Sequence, residues 1–157
     1  MGTIKRKLHL RQVCLTDKEL LFDWANDNTV RANAFHTEKI PYADHIKWFA
    51  AMMENVFVYQ YILCDNEIPV GQIRLNIEGD KAFIDYSIAA KFRGMGYGTA
   101  LMQLLLRELE TVKMPDELTL VGQVKQENFA SASVFEKCGF TPIKKNDYIQ
   151  YELVWRR

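Results

Sequence analysis

The chain has 157 residues, 48% of them hydrophobic, and this length and composition predict one globular domain over residues 1–157. Twenty acidic and twenty basic residues cancel, so the sequence gives no reason to expect a nucleic acid or an anionic membrane as a partner. Three scattered cysteines fit neither a disulfide framework nor a zinc site, and no apolar run follows Lys5-Arg6-Lys7, so we expect a cytoplasmic protein.

The first third of the chain predicts a strand followed by helices. Alternating residues indicate the strand, and apolar residues at helical spacing indicate the helices. In chain order the predicted elements are a strand (Leu8–Val13), a helix with Thr16 or Asp17 as N-cap (through Ala25), a loop or short helix (Val30–Phe35) and a second helix (Tyr42–Met53).

The rest of the chain predicts an antiparallel meander and then strands that alternate with helices. Asp65-Asn66-Glu67 is typical of a hairpin turn between two apolar strands. The predicted elements are strands at Phe57–Cys64, Val70–Ile77 and Ala82–Ala89, a helix at Ala100–Leu109, a strand at Leu118–Val124, a helix at Asn128–Lys137, and strands at Thr141–Lys144 and Tyr148–Val154.

A glycine-rich segment, Arg93-Gly94-Met95-Gly96-Tyr97-Gly98-Thr99, separates the third of these strands from its helix. Backbone amides at such a junction converge on one point, and the helix dipole adds positive charge there, which favours an anion such as phosphate. A dinucleotide fingerprint starting at Gly94 would need glycine where Thr99 stands, and the chain has no Gly-Lys-Ser/Thr triplet of a Walker loop. The segment therefore indicates another phosphate compound.

The spacing Arg93-x-x-Gly96-x-Gly98 resembles the acetyl-CoA pyrophosphate loop of the GNAT superfamily of N-acetyltransferases. A second segment, Asn128-x-x-Ser131 followed by Phe135-Glu136-Lys137-Cys138-Gly139-Phe140, resembles the C-terminal helix of that family. The predicted order β-α-α-β-β-β-α-β-α-β-β is also that of the GNAT fold. The resemblance implies an α+β protein with a mixed, mostly antiparallel sheet between helices.

The resemblance also implies an acetyl-CoA site and direct attack by an amine within a ternary complex. Backbone groups of Ile88 and Ala90 would hold the pantetheine arm. The residues implied at the pyrophosphate are Arg93, Gly94, Met95, Gly96, Tyr97, Gly98 and Thr99, and those implied on the C-terminal helix are Asn128, Ser131 and Phe135. Arg93 is alternatively a solvated surface charge, and Asn128 is alternatively a helix N-cap.

The acid–base groups are less well defined by the sequence. Strand parity places Asp85 on one face with Phe83 and Ser87, beside the implied thioester, where a general base is useful. His36 is a second candidate for the base. Many GNAT enzymes have a tyrosine at the position of Phe135, and the resemblance implies that its hydroxyl protonates the leaving thiolate. A thiol has a reference pKa of about 8.5, which reduces the need for a proton donor, and Tyr148 or a water is the candidate substitute. The same departure allows a catalytically degenerate acetyl-CoA sensor or scaffold.

The acceptor is expected to contact the helices after the first strand and the sheet. The candidate substrate-binding residues are Arg31, Asn33, Phe35, Gln72 and Arg74. Three segments resemble bacterial acetyltransferases of nonulosonic acid pathways: Trp24-Ala25-Asn26-Asp27 with Val30-Arg31-x-Asn33-x-Phe35, the strand Gly71-Gln72-Ile73-Arg74-Leu75, and the Phe135-Glu136-Lys137 variant. That resemblance implies a small-molecule acceptor, a nucleotide-linked amino sugar of cell-surface glycan synthesis. A protein α-amine or another small amine is the alternative, and a homodimer is compatible with the sequence.

Overall fold

Seven strands form one mixed sheet in the computed structural model, which describes residues 5–157. The strands are β1 (Leu8–Gln12), β2 (Val58–Asp65), β3 (Ile68–Glu78), β4 (Lys81–Ile88), β5 (Glu117–Lys125), β6 (Thr141–Lys144) and β7 (Tyr148–Arg156). They lie in the order β1-β2-β3-β4-β5-β7-β6. Every neighbouring pair is antiparallel except β4 and β5, which are parallel.

Five helices accompany the sheet: α1 (Lys18–Ala25), α2 (Asn28–Asn33), α3 (Tyr42–Glu54), α4 (Tyr97–Glu108) and α5 (Phe129–Lys137). The helices α4 and α5 pack on one face, which we call the inner face, and α1 and α3 pack over β1 and β2 on the opposite, outer face. No helix among residues 5–157 combines the length and the apolar character needed to span a membrane.

Apolar residues fill both interfaces because successive strand residues point to opposite faces. The inner core contains the fully buried side chains of Ile73, Leu75, Leu101 and Leu105. A smaller outer core includes Phe49 of α3 packed near Ile62 of β2. The outer face of β3, β4, β5 and β7 lies beyond this smaller core, and polar residues are common on it.

The predicted α+β architecture with a mixed, mostly antiparallel sheet is confirmed, and the elements follow one another along the chain as predicted, with helix α2 where a loop or short helix was expected. Boundaries differ by one or two residues at several elements, and the largest difference is at α4, which begins at Tyr97 and not at Ala100. The prediction treated Gly98 as part of the loop, whereas it lies in the first helical turn. A Cβ atom built on Gly98 would lie 3.1 Å from Cγ2 of Val134 in α5. Glycine therefore permits the close approach of the two helices at this point.

Candidate active site

Strands β4 and β5 separate halfway along their length. They are paired only where Lys81–Ile84 faces Thr119–Gly122. Beyond that point β4 continues to Ile88 against β3, and β5 continues to Lys125 against β7, without pairing to each other. The result is a V-shaped gap in the middle of the sheet, which we call the cleft.

Backbone polar groups of β4 point into the cleft. The amide of Ala89 donates to the carbonyl of Val70 on β3 at 2.8 Å. Because backbone groups alternate sides along a strand, those of Ile88 and Tyr86 point away from β3, toward the cleft. An extended ligand that carries amide groups can pair with this strand edge as an additional strand does.

The glycine-rich segment lies at the end of this strand edge. Gly94 and Gly96 adopt positive φ angles of 75° and 85°, and Gly96 is the N-cap of α4. The backbone amides of Tyr97 to Thr99 lie in the first helical turn. They have no acceptor within the helix, because the residues four positions earlier precede the helix. They form, with the helix dipole, a site for an anion such as a pyrophosphate.

Arg93 is engaged by the protein itself. Its Nη2 donates to Oδ2 of Asp27 at 2.6 Å, and its Nε donates to the carbonyl of Ile88 at 3.1 Å. Burial opposes ionisation of Asp27, but the hydrogen bonds from Arg93 and the amide of Val30 outweigh it and lower the pKa of this carboxyl below its usual value. Arg93 thus joins the chain between α1 and α2 to the end of β4.

We expect the Arg93→Gln variant to lose about 1–2 kcal/mol of unfolding free energy at neutral pH, because Asp27 and the Ile88 carbonyl each lose a donor. A lowered carboxyl pKa stabilises the fold above the unfolded pKa, and this contribution disappears as the pH falls through the folded pKa. Urea unfolding at pH 7 and pH 3 measures the effect. The difference from wild type should shrink at pH 3, and an equal difference at both pH values would contradict the assignment.

A second helix N-terminus lies beside the cleft on the inner face. The side chain of Asn128 caps α5 by accepting from the amide of Ser131, 3.2 Å away. The Ser131 hydroxyl in turn accepts from the Tyr86 hydroxyl at 3.1 Å. Burial raises the pKa of Tyr86 to about 12, so this hydroxyl remains a hydrogen-bond donor near neutral pH. Asn128 and Ser131, both predicted site residues, therefore lie together with a residue that the sequence had not indicated.

Phe135 lies in the inner core and does not line the cleft. Its side chain is 2% exposed, and its ring stacks on Tyr151 with a centroid distance of 5.4 Å. A Cβ atom built on Gly122 would fall 2.2 Å from Cζ of Phe135. Since Gly122 is the last β5 residue paired with β4, the ring of Phe135 packs against the point where the two strands separate.

Asp85 lies on the outer face, next to the cleft, with a side chain that is 58% exposed. Its Oδ2 accepts from Nε2 of Gln72 at 3.2 Å and lies 3.9 Å from Nη2 of Arg74. The Gln72 amide also donates to Ser87, at 3.2 Å. Two predicted substrate-binding residues, Gln72 and Arg74, are therefore direct neighbours of the predicted base.

A buried amide stands behind this group. Gln60 of β2 donates from Nε2 to Oε1 of Gln72 at 2.9 Å. Because an ionised carboxylate only accepts, Asp85 requires the nitrogen of Gln72, and Gln72 then requires the nitrogen of Gln60. Oε1 of Gln60 is also buried. Because the nitrogen of Gln60 is the atom turned toward Gln72, this oxygen has no hydrogen-bond partner among the described residues. The charge of Asp85 fixes the direction of the whole chain of amides.

Arg74 extends the site toward α3. Its guanidinium lies 5.1 Å from the ring centroid of Trp48. A groove of about 390 Å³ begins here, lined by Trp48, Ala51, Met52, Asn55, Phe57, Val58, Arg74, Asn76, Ile77 and Glu78. A second groove, of about 310 Å³, lies at the end of β4 and is lined by Asp23, Trp24, Asp27, Ile88, Ala89, Ala90, Lys91 and Arg93.

The remaining predicted residues lie around α2. Arg31 donates to the carbonyls of Ala25 and His36, at 2.7 and 2.9 Å, and so shapes the loop after α2. His36 itself is exposed, and Asn33 ends the helix. Phe35 packs edge-on against Tyr148 at the start of β7, with ring centroids 5.5 Å apart. This contact brings the α2 loop to the β5–β7 side of the outer face.

Gln60 was not among the sequence-based predictions, and Asp27 was not predicted to pair with Arg93. Gln60 was detectable in principle, because it is the polar residue within the apolar run Val58–Cys64. A buried polar side chain requires a partner, so its position indicates a hydrogen-bonded network. Asp27 carried no such signal, since its partner Arg93 lies 66 residues further along the chain.

Comparison with known proteins identifies the architecture. Residues 7–141 match the family model described as "Acetyltransferase (GNAT) domain". No match is found in a search of curated protein sequences.

Solved structures share the fold over nearly the whole chain. A spermidine N-acetyltransferase from Vibrio cholerae, in complex with CoA and spermine, has a TM-score of 0.82 and 17% identity over 94% of this chain and 95% of that chain. A domain from Methanocaldococcus jannaschii has a TM-score of 0.80 and 22% identity over 96% and 99%. AAC(6')-Ib, in complex with ribostamycin and coenzyme A, has a TM-score of 0.78 and 21% identity over 96% and 93%.

Proposed function

Because this chain belongs to the GNAT acetyltransferase family, it is an acetyl-CoA-dependent N-acetyltransferase, and we propose that its acceptor is the primary amine of a nucleotide-linked amino sugar. The observation that carries the proposal is the outer face beside the cleft. There an exposed carboxylate, two amide side chains and an arginine adjoin an aromatic groove.

The donor half of the site fits acetyl-CoA. The free edge of β4 suits the amide groups of a pantetheine arm, and the first turn of α4 suits a pyrophosphate. Acetyl-CoA supplies an activated acetyl group as a thioester. The backbone groups of Tyr86 and the amide of Ile88 orient the arm, while the Ile88 carbonyl already accepts from Arg93. Ser131 and Asn128 lie on the side near α5.

We assign Asp85 as the general base. Its carboxylate is held by Gln72 and Arg74 on one side and is exposed on the other, where an acceptor amine can donate its proton. The electron-withdrawing oxygens of a sugar lower the pKa of its amine below the lysine reference of about 10.4, which reduces the demand on this base. Tyr148 and His36 stay as predictions for a proton donor and an alternative base.

Two carboxylates beside the cleft are paired with arginines, which lowers the attraction that they exert on a polycation. Asp27 is paired with Arg93 and Asp85 with Arg74, so neither carboxylate offers an uncompensated negative charge. Further along the face, Gln123 donates to Gln150, which donates to Glu152. Neighbouring amide and carboxylate groups suit the hydroxyl groups of a sugar, which both donate and accept hydrogen bonds.

The groove beyond Arg74 provides room for the nucleotide. In this proposal Arg74 contacts the diphosphate, and the rings of Trp48 and Phe57 contact the base. The groove starts at the residue that also contacts Asp85, so one elongated ligand can occupy both places. The names of the fold neighbours, a spermidine and an aminoglycoside acetyltransferase among them, do not select an acceptor for this chain.

The test is the release of free thiol from acetyl-CoA with a panel of acceptors. The panel contains a UDP-linked 4-amino sugar, free amino sugars, spermine and a peptide with a free N-terminus. We expect kcat/KM to be at least about tenfold higher for the UDP-linked sugar than for the others, since only this acceptor uses both the Asp85 region and the groove. Arg74→Gln should reduce that advantage while leaving the free sugars less affected.

Two outcomes would contradict the proposal in different ways. Turnover confined to the peptide or to spermine would overturn the sugar acceptor but leave the acetyltransferase assignment intact. Binding of coenzyme A without turnover of any acceptor would favour the degenerate sensor or scaffold.

A further inference from the structure

The segment before β1 is fixed to the start of α4 by Asp65, at the end of β2. Oδ1 of Asp65 accepts from the amide of Lys7 at 3.2 Å, and Oδ2 accepts from the Tyr97 hydroxyl at 2.5 Å. The amide of Asn66 donates to the Lys7 carbonyl at 2.8 Å. The hydrogen bond to Asp65 raises the pKa of Tyr97 above its usual value, and burial adds to this effect, so the hydroxyl stays a donor.

This anchoring places Arg6 beside the glycine-rich segment. The Cζ atom of Arg6 lies 4.3 Å from the ring centroid of Tyr97, a cation–π contact. Its Nη1 lies 3.9 Å from the position that a Cβ atom of Gly96 would occupy. Among residues 5–157, no carboxylate lies within salt-bridge distance of Arg6. Its charge is therefore available beside the anion site formed by the first turn of α4.

Two basic residues next to the glycine-rich segment already make contacts within the protein. Arg93 is paired with Asp27, and Nζ of Lys91 lies 5.3 Å from the ring centroid of Phe92. The chain as a whole is electrically neutral, so its net charge exerts no long-range attraction on a polyanionic coenzyme. Arg6 adds a local cation to this site from another part of the sequence.

We infer that Arg6 binds the pyrophosphate of the coenzyme, with its guanidinium held in place by the ring of Tyr97. The inference rests on one part of the proposed function, namely that acetyl-CoA is the donor, and does not depend on the acceptor. Arg6 takes the role that the loop sequence suggests for Arg93. A guanidinium presents several donors in one plane, which matches the oxygens of a phosphate group better than an ammonium does.

Isothermal titration of the full chain with coenzyme A tests this inference. We expect Arg6→Gln to raise Kd about tenfold at low ionic strength, the loss typical of a charge-assisted hydrogen bond. The Kd of Arg6→Lys should lie between the values of Arg6→Gln and wild type. Lys5→Gln is the matched control, because it removes the same charge from the neighbouring exposed position, and it should change Kd less than about twofold.

A second ligand distinguishes the phosphates. Arg6→Gln should lose the same factor of affinity for 3′-dephospho-coenzyme A as for coenzyme A, because both ligands contain the pyrophosphate. A loss confined to coenzyme A would overturn the assignment to the pyrophosphate and indicate the 3′-phosphate. Equal affinities of Arg6→Gln and Lys5→Gln would overturn any role for Arg6, whereas failure of wild type to bind coenzyme A would instead contradict the proposed function.

Discussion

The Asp85→Asn variant is expected to lose at least about 100-fold in kcat/KM for its amine acceptor, the usual contribution of a general base. Asparagine keeps the shape of the side chain but cannot accept a proton from the amine. Because coenzyme binding uses the cleft and the first turn of α4, Kd for coenzyme A should stay close to that of wild type. The loss should therefore appear in the acetyl-transfer rate at saturating acetyl-CoA.

The control is Asp80→Asn, which removes a carboxylate from the exposed turn before β4 and should retain activity. Gln72→Leu gives a second comparison, because it removes the amide that holds Asp85 and leaves the carboxylate in place. We expect this variant to keep measurable activity at a reduced kcat, because the carboxylate is present but is no longer positioned by the amide of Gln72. Activity of Asp85→Asn within threefold of wild type would exclude Asp85 as the base.

The largest effect on stability is expected for Gly122→Ala. The new Cβ atom would lie 2.2 Å from Cζ and 2.5 Å from Cε1 of Phe135, both inside van der Waals contact. Neither β5 nor the ring can yield easily, since Phe135 is enclosed by Tyr151, Phe140 and Tyr86. We expect a loss of about 3 kcal/mol or more in unfolding free energy, at the upper end for overpacked cores.

Gly79→Ala separates packing from backbone effects. Gly79 has a φ of 64° and open space around it, so its variant should lose only about 1 kcal/mol from backbone strain. Gly122 has no such φ, and its cost should arise from the ring alone. Adding Phe135→Leu to Gly122→Ala should recover part of the loss, and a double-mutant cycle measured by urea unfolding gives the coupling energy. Strict additivity would contradict a direct clash.

The sequence predicted the elements well where local patterns determine them. The alternation in β1 to β4, the turn at residues 65–67 and the helix after the glycine-rich segment depend on neighbours within a few positions. The parity that placed Asp85 and Ser87 on the same face of their strand depends on the same local rule. The start of α4 was misplaced because Gly98 serves contacts with α5, a distant segment.

The roles of the charged residues were harder to predict, because they depend on pairs that lie far apart in the chain. Arg93 carried the family pattern, but the position of Asp27 determines where its guanidinium points. Arg6 had no pattern at all, and its place follows from Asp65 and Tyr97. Charge patterning along a sequence does not reveal which partner folds next to each residue, and so it left these assignments open.

The cleft between β4 and β5 also has a consequence for the behaviour of the protein in a crowded solution. An unpaired strand edge at the margin of a sheet invites pairing with other chains and leads to aggregation. Here the unpaired edge lies in the middle of the sheet, with β5 across the gap and α4 and α5 behind it. A polypeptide strand would carry side chains on both faces of the sheet, and α4 and α5 already cover one of these faces, so a ligand without side chains fits the gap better. The unpaired backbone groups of β4 are therefore more accessible to a slender ligand than to a strand of another protein.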